Sequence, residues 1–147
     1  RAIHSGVQAC SGIILQFPLY AGIMSMMKSS GLAAMTVNAV VTTASKASLP
    51  LLTFFSAGIL NIFVPSGGGQ WAVQGPIMVE LIHQLDGDLS KTILAFCYGD
   101  QWTNLLQPFW ALALLGITGL RASQIMGYCI TVMLIGVLMF SGILLIY

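Results

Sequence analysis

Two short polar stretches interrupt an otherwise apolar chain: Ser66-Gly67-Gly68-Gly69-Gln70-Trp71 and Gly99-Asp100-Gln101-Trp102-Thr103-Asn104. In the first, glycine lets a ligand approach the backbone closely. If Trp71 opens a helix, the N–H groups of Gly67, Gly68 and Gly69 gather at its positive end, with the Ser66 hydroxyl and the Gln70 amide. Such a cluster of donors suits an anion, a carboxylate above all. Trp71 and Gln74 complete this candidate binding set. In the second stretch, Asp100 is the one acidic side chain inside an apolar run. A carboxylate at membrane depth costs roughly 2.5–3.5 kcal/mol on insertion scales, which argues for a function. With Thr103 and Asn104 it is suited to hold a coupling sodium ion or to carry a proton. Each stretch also has a plainer reading. The glycines would serve a tight helix crossing. Asp100 would cap a helix break through the N–H of Trp102 or Thr103.

The surroundings explain why these breaks matter. Of 147 residues, 57% are hydrophobic and 6% charged, where soluble domains carry roughly 25% charged residues. Mean hydropathy is +0.92, and residues 47–79 hold no charged side chain. This is the composition of an all-α membrane protein. Pro65 followed by three glycines cannot sustain a good helix. In lipid, such backbone must be buried in protein or line a watery cavity, as in the discontinuous helices of transporters.

Five segments position the two stretches. Residues 6–27 are long enough to span a ~30 Å core, with Pro18 expected to kink them. Residues 32–45 read as an interfacial helix between Lys28 and Lys46. Residues 49–84 read as a re-entrant hairpin turning at residues 66–70. Residues 92–120 would rise about 43 Å as a straight helix. They are therefore read as a broken span, interrupted near Asp100 and Pro108. Residues 122–147 are a clean final span. Lysines and arginines divide three against two across such a topology, which orients nothing.

Other features carry less. The net charge of +1 and the lack of a basic run speak against nucleic acid as a partner. Cys10, Cys97 and Cys129 stand alone in apolar surroundings and read as buried thiols. Glu80 and His83 share a helical face without an evident third ligand, so they read as interfacial polar groups and not as a metal site. Asp86-Gly87-Asp88 reads as a solvated turn. Trp71, Trp102 and Trp110 suit interface anchors; Trp71 and Trp102, which adjoin the two polar stretches, suit equally the walls of an apolar pocket for a short acyl tail. The first residue is Arg1 and no signal peptide precedes it, which reads as a piece of a larger protein.

The stretch Asn61-Ile62-Phe63-Val64-Pro65-Ser66-Gly67-Gly68-Gly69-Gln70-Trp71-Ala72-Val73-Gln74-Gly75-Pro76 strongly resembles the short-chain fatty acid transporter family. Tyr98 to Asn104, followed by Gln107-Pro108-Phe109-Trp110, resembles a second block of that family. The resemblance runs over nearly the whole chain and implies the C-terminal part of a longer protein. It implies uptake of acetoacetate, butyrate and similar monocarboxylates across a bacterial inner membrane; taken with the reading of Asp100, that uptake is expected to be coupled to Na+ or H+, with no other cofactor. It also implies a wider superfamily of ion transporters with two inverted repeats, each with a re-entrant hairpin and a broken helix. Residues 32–45 then resemble the horizontal arm helix before the hairpin. Dicarboxylate-carrying relatives have Ser-Asn-Thr at the hairpin tip, where this chain has Ser66-Gly67-Gly68-Gly69. The expected partners are the carboxylate substrate, membrane lipid, the rest of the same transporter and, in a homo-oligomer, further copies.

Two rivals belong beside this reading. One is a carrier for another organic anion such as a dicarboxylate, which would want a second positive group; no lysine or arginine lies inside an expected span. The other is an intramembrane aspartyl protease, prompted by Tyr98-Gly99-Asp100, which needs a second carboxylate.

Overall fold

The computed structural model describes residues 2–146, and within them every regular element is a helix, with no strand. Arg1 and Tyr147, and with them the last residue of the expected final span, lie outside the described residues.

Helix α1 runs Ala2–Ser29, through Pro18, and Gly31 in a left-handed turn (φ 72°) delivers the chain into α2, Leu32–Val41. This second helix stops short of the expected residue 45. Ala33 and Val37 on α2 are fully buried, packing with Met27, Leu60, Val64 and Met78. Helix α2 thus braces the next two helices as well as following α1.

Helices α3, Leu49–Phe63, and α4, Gly67–Leu85, form a helical hairpin. Each turn has a local cause. Ser45 and Ser48 exchange hydrogen bonds ahead of α3, Ser45 N–H to Ser48 Oγ at 2.9 Å and Ser48 N–H to Ser45 Oγ at 3.3 Å. Pro50 sits in the first turn, where its missing N–H costs nothing. Pro65 ends α3, because a residue preceding proline is pushed out of the helical region; Val64 has φ −123° and ψ 75°. Ser66 is extended and caps α4.

At the far end of α4, Asp86 takes a left-handed conformation (φ 50°) and the Gly87 N–H returns to the Ile82 carbonyl at 2.8 Å. Lys46, before α3, pairs with Asp86 at 2.7 Å, which brings the outer ends of both arms together. The lysine's hydrogen bond, then its charge, hold the Asp86 carboxyl below its ordinary range. The pair's contribution is therefore present above the unfolded carboxyl's pKa and lost as pH falls through the lowered folded value. Both side chains are largely in solvent, so that contribution is small. The expected turn at Asp86-Gly87-Asp88 is realised, with Asp88 Oδ1 capping α5 by accepting from the Lys91 N–H at 2.8 Å.

Helix α5, Leu89–Thr103, lies parallel to α3 and very close to it. A Cβ on Gly99 would run into the Phe54 carbonyl and 2.8 Å from the Ala57 methyl; one on Gly58 would lie 2.8 Å from the Trp102 ring. In lipid no hydrophobic force favours one apolar contact over another, so backbones that approach this closely supply the packing attraction. Around this crossing Phe54, Ala95 and Leu144 form a second core. Trp102 stacks on Phe54 with ring centres 5.1 Å apart and donates Nε1–H to the Met133 carbonyl at 2.9 Å.

The chain then breaks. Tight 3-10 turns occupy Asn104–Leu106 and Pro108–Ala111 before the short helix α6, Leu112–Thr118. The interruption falls just after the polar stretch of α5. Helix α7, Ala122–Ile146, closes the fold. Among the described residues it is the helix long and apolar enough, by length and composition, to cross a membrane.

One expectation is corrected. Cys97 is exposed and Cys129 half-buried, while the side chain of Cys10 lies outside the described set. In so apolar a chain, an outward helix face is as hydrophobic as the core, so apolar neighbours do not imply burial.

The α3–α5 crossing makes a direct prediction. Gly99→Ala should destabilise the protein by about 1–3 kcal/mol, the usual cost of overpacking, despite alanine's better helix propensity. An unchanged thermal unfolding midpoint for the full-length variant would contradict the close crossing.

Candidate functional site

The two polar stretches meet. The Asp100 carboxylate lies against Gly67, with Oδ2 3.3 Å from where a glycine Cβ would be. Sequence separates them by a hairpin arm and a turn; the parallel packing of α3 and α5 sets them side by side. Asp100 stays inside α5, and its Oδ1 is buried without a hydrogen-bond partner. The capping alternative is therefore not realised, because the helix continues past Trp102.

At the start of α4, Ser66 Oγ accepts from the Gly69 N–H at 3.4 Å, and the Ser66 carbonyl accepts from the Gln70 N–H at 2.7 Å. The N–H groups of Gly67 and Gly68 have no partner among the described residues. These two, with the Ser66 hydroxyl, are the free donors of the tip. Gly68 is exposed, and a Cβ there would meet nothing within 4 Å.

Other expected members of the set face inward. Gln70 is fully buried and donates Nε2–H to the Ala57 carbonyl at 2.8 Å and to Gln74 Oε1 at 3.2 Å. Gln74, also fully buried, donates to Ser56 Oγ at 2.9 Å. These bonds stitch the two hairpin arms together. Trp71 packs edge-on against Phe96, ring centres 4.9 Å apart, and its indole lies over Gly75. Thr103 donates to the Gly58 carbonyl at 2.8 Å.

Two amides that the sequence reading did not single out hold the break together. The Asn61 carbonyl lacks its helical donor, because that donor would be the nitrogen of Pro65. Gln107 Nε2–H fills the vacancy at 2.7 Å. The Asn104 N–H turns to the Trp102 carbonyl instead of making its helical bond to Asp100. Asn61 Nδ2–H supplies the Asp100 carbonyl at 2.8 Å, and also reaches Thr103 Oγ1 at 3.0 Å and Asn104 Oδ1 at 2.8 Å. Each interrupted helix thus receives its missing donor from the other. The available signal was a lone amide in the apolar run one turn before Pro65, and a further amide just before Pro108.

Between the tip and the break lies an open cavity of about 480 Å³, lined by Pro65, Gln101, Asn104, Leu105, Gln107 and Trp110. Trp110 is thereby the tryptophan at a cavity wall beside the break, its Nε1–H bonded to the Asn104 carbonyl at 3.0 Å. A smaller hollow of about 230 Å³ opens on the other side of Pro65 and Ser66, toward Phe17, Tyr20 and Met24 of α1.

A family model described as short chain fatty acid transporter matches residues 1–147. The chain belongs to the short chain fatty acid transporter family. It is 46% identical over 144 residues to an Escherichia coli (strain K12) protein named "Putative short-chain fatty acid transporter", covering 98% of this chain and 32% of that protein. It is 47% identical over 134 residues to a Haemophilus influenzae (strain ATCC 51907 / DSM 11121 / KW20 / Rd) protein of the same name, covering 91% of this chain and 30% of that one. The chain spans about a third of the length of these curated relatives. No solved structure matches it. Membership of this transporter family makes it part of a membrane protein and sets the aspartyl protease rival aside.

The amide exchange between hairpin and break is testable. Asn61→Leu should cost about 1–3 kcal/mol for each buried acceptor left without a donor. A lowered unfolding temperature of the full-length protein in detergent is the expected readout; a wild-type value would show that the break does not need Asn61.

Proposed function

We propose that this chain is the C-terminal repeat of a secondary transporter that carries short-chain fatty acids such as acetoacetate and butyrate across a bacterial inner membrane, coupled to a cation. The observation that carries the reading is the Asp100 carboxylate placed against Gly67, at the positive end of α4. The free N–H groups of Gly67 and Gly68 and the Ser66 hydroxyl suit a substrate carboxylate. An ionised Asp100 already occupies the edge of that field. Two like charges 4 Å apart repel by about 4 kcal/mol at an effective dielectric of 20. Substrate and bare Asp100 therefore exclude one another, and a proton or sodium ion at Asp100 lifts the exclusion. On this reading coupling is electrostatic, because the anion is welcome only after the cation has arrived.

The hairpin reads as re-entrant. Helix α3 has 15 residues and rises about 22 Å, less than a ~30 Å core. The charged groups Lys46, Asp86 and Asp88 all sit at the base of the hairpin, and the uncharged tip is at its other end. Helices α1 and α7 expose much apolar surface, suited to lipid, to the rest of the transporter or to another copy. Leu105, Trp110 and Pro65 offer an apolar wall for the acyl tail. No lysine or arginine stands at the described tip to meet a second carboxylate, which favours monocarboxylates over the dicarboxylate rival. Alternating access would move the hairpin and the broken helix against the companion repeat.

Two outcomes are expected in vesicles containing the full-length protein, with sodium and proton gradients imposed separately. Asp100→Asn should express normally yet lose gradient-driven accumulation of labelled butyrate; full accumulation would refute the coupling role. Gly68→Val should fold, since its Cβ meets open space, but should weaken apparent butyrate affinity at least tenfold, about 1.4 kcal/mol. Unchanged affinity would mean that the tip does not touch the substrate.

A further inference from the structure

Among the described residues, four buried side-chain polar atoms have no hydrogen-bond partner: Asn61 Oδ1, Gln70 Oε1, Asp100 Oδ1 and Ser141 Oγ. Ser141 lies on α7. The other three are all oxygen acceptors, and the contacts of their residues form a closed loop around the hairpin tip. Asn61 Nδ2 holds the Asp100 carbonyl at 2.8 Å. Asp100 Oδ2 lies against Gly67, 3.3 Å from its Cβ position. Gln70 sits one turn beyond Gly67, and its Nε2–H holds Ala57 at 2.8 Å, one turn before Asn61. Asn61 and Gln70 are both 0% exposed.

Neither amide can turn to satisfy itself. Asn61 Nδ2 already serves acceptors on Asp100, Thr103 and Asn104, and Gln70 Nε2 serves Ala57 and Gln74. Exchanging oxygen for nitrogen would set oxygen against oxygen in both places. Thr103 Oγ1 and Asn104 Oδ1, the sequence-based candidates beside Asp100, already accept from Asn61. They position the site and leave the free oxygens to other residues.

We propose that Asn61 Oδ1, Gln70 Oε1 and the Asp100 carboxylate are side-chain ligands of one small monovalent cation of the sodium type, bound between the hairpin tip and α5. This deepens the transport reading by naming the coupling ion and its ligands, and rests on that reading for the word coupling alone. Three facts select such an ion over the alternatives. Oxygen ligands suit a hard cation. A single carboxylate balances one positive charge, and a divalent ion would leave an excess. A proton on Asp100 provides one donor, which can serve one amide oxygen and leaves the other buried and unpaired; a metal cation serves all three at once. The ion also ties both hairpin arms to α5, so its arrival orders the tip that offers Gly67 and Gly68 to the substrate.

The test uses the purified full-length protein without any carboxylate substrate. Its unfolding temperature and 22Na+ binding are followed in NaCl, LiCl, KCl and choline chloride at constant ionic strength, and at several pH values in choline. Wild type should bind 22Na+ saturably and be stabilised by sodium well beyond choline. Asp100→Asn and the near-isosteric Gln70→Met should each fold in choline, judged by a cooperative transition, and lose at least tenfold in sodium affinity. Gln101→Ala, exposed on α5 and outside the ligand set, should keep it. Wild type stabilised by acid alone, with no saturable sodium binding, would overturn the site in favour of a proton. Full sodium affinity in Asp100→Asn or in Gln70→Met would overturn the ligand assignment. A protein that binds sodium but moves no butyrate would sink the transport reading and leave the site standing. Butyrate uptake driven by pH without sodium binding would do the reverse.

Discussion

Backbone that leaves a helix where there is no water must find new partners, and the middle of this structure is arranged around that requirement. Two helices stop in apolar surroundings, α3 before Pro65 and α5 at Asn104. Proline removes one donor outright, and the tight turn after Thr103 withdraws another. Asn61 and Gln107 restore both by reaching across to each other's segment. The two breaks are therefore one unit. Neither would be comfortable alone, which is why the polar residues of this chain are concentrated where the helices end.

That unit has an electrostatic consequence. Placing the break of α5 beside the tip sets a carboxylate at the positive end of α4. The same helix end cannot serve Asp100 and a second anion equally while Asp100 is ionised. An arrangement that looks wasteful as packing suits the proposed carrier, in which occupancy by an anion would be conditional on a compensating positive charge. The buried glutamines of α4 have a different task. Gln70 and Gln74 bind across to Ala57 and Ser56, which ties the hairpin arms to each other.

The close approach of α3 and α5 gives that unit its precision. Gly99 and Gly58 remove side chains where the two helices touch Phe54, Ala57 and Trp102. With no hydrophobic gain available in lipid, such contact and the few polar bonds beside it must hold the register. A helix shifted by one turn would part Asn61 from Asp100 and the tip from its carboxylate. The crowded glycines at the crossing and the glycines with free N–H groups at the tip are therefore separate groups, though composition alone cannot tell them apart.

Much was legible in the residues themselves. The apolar composition announced a helical membrane protein, Pro65 and the glycines marked the tip, and Asp86-Gly87-Asp88 marked the turn at the base. These are local signals, since proline, glycine and capping residues act within one turn of where they stand. The broken helix was legible too, although its break lies at residues 104–111, after Asp100, which stays helical. Other matters belonged to the tertiary structure. That Gly67 faces Asp100, that Gln70 and Gln74 turn inward, that Trp71 packs on Phe96 while Trp110 lines the cavity, and that Cys97 points outward all depend on which helix lies beside which. A side chain's type states what bonds it needs; the neighbour that meets them, or leaves Asn61, Gln70 and Asp100 each with an unmet oxygen, comes from a distant part of the chain. Sequence determined where the backbone had to break, and the parallel packing of α3 and α5 decided that the two breaks lie side by side and complete one another's hydrogen bonds.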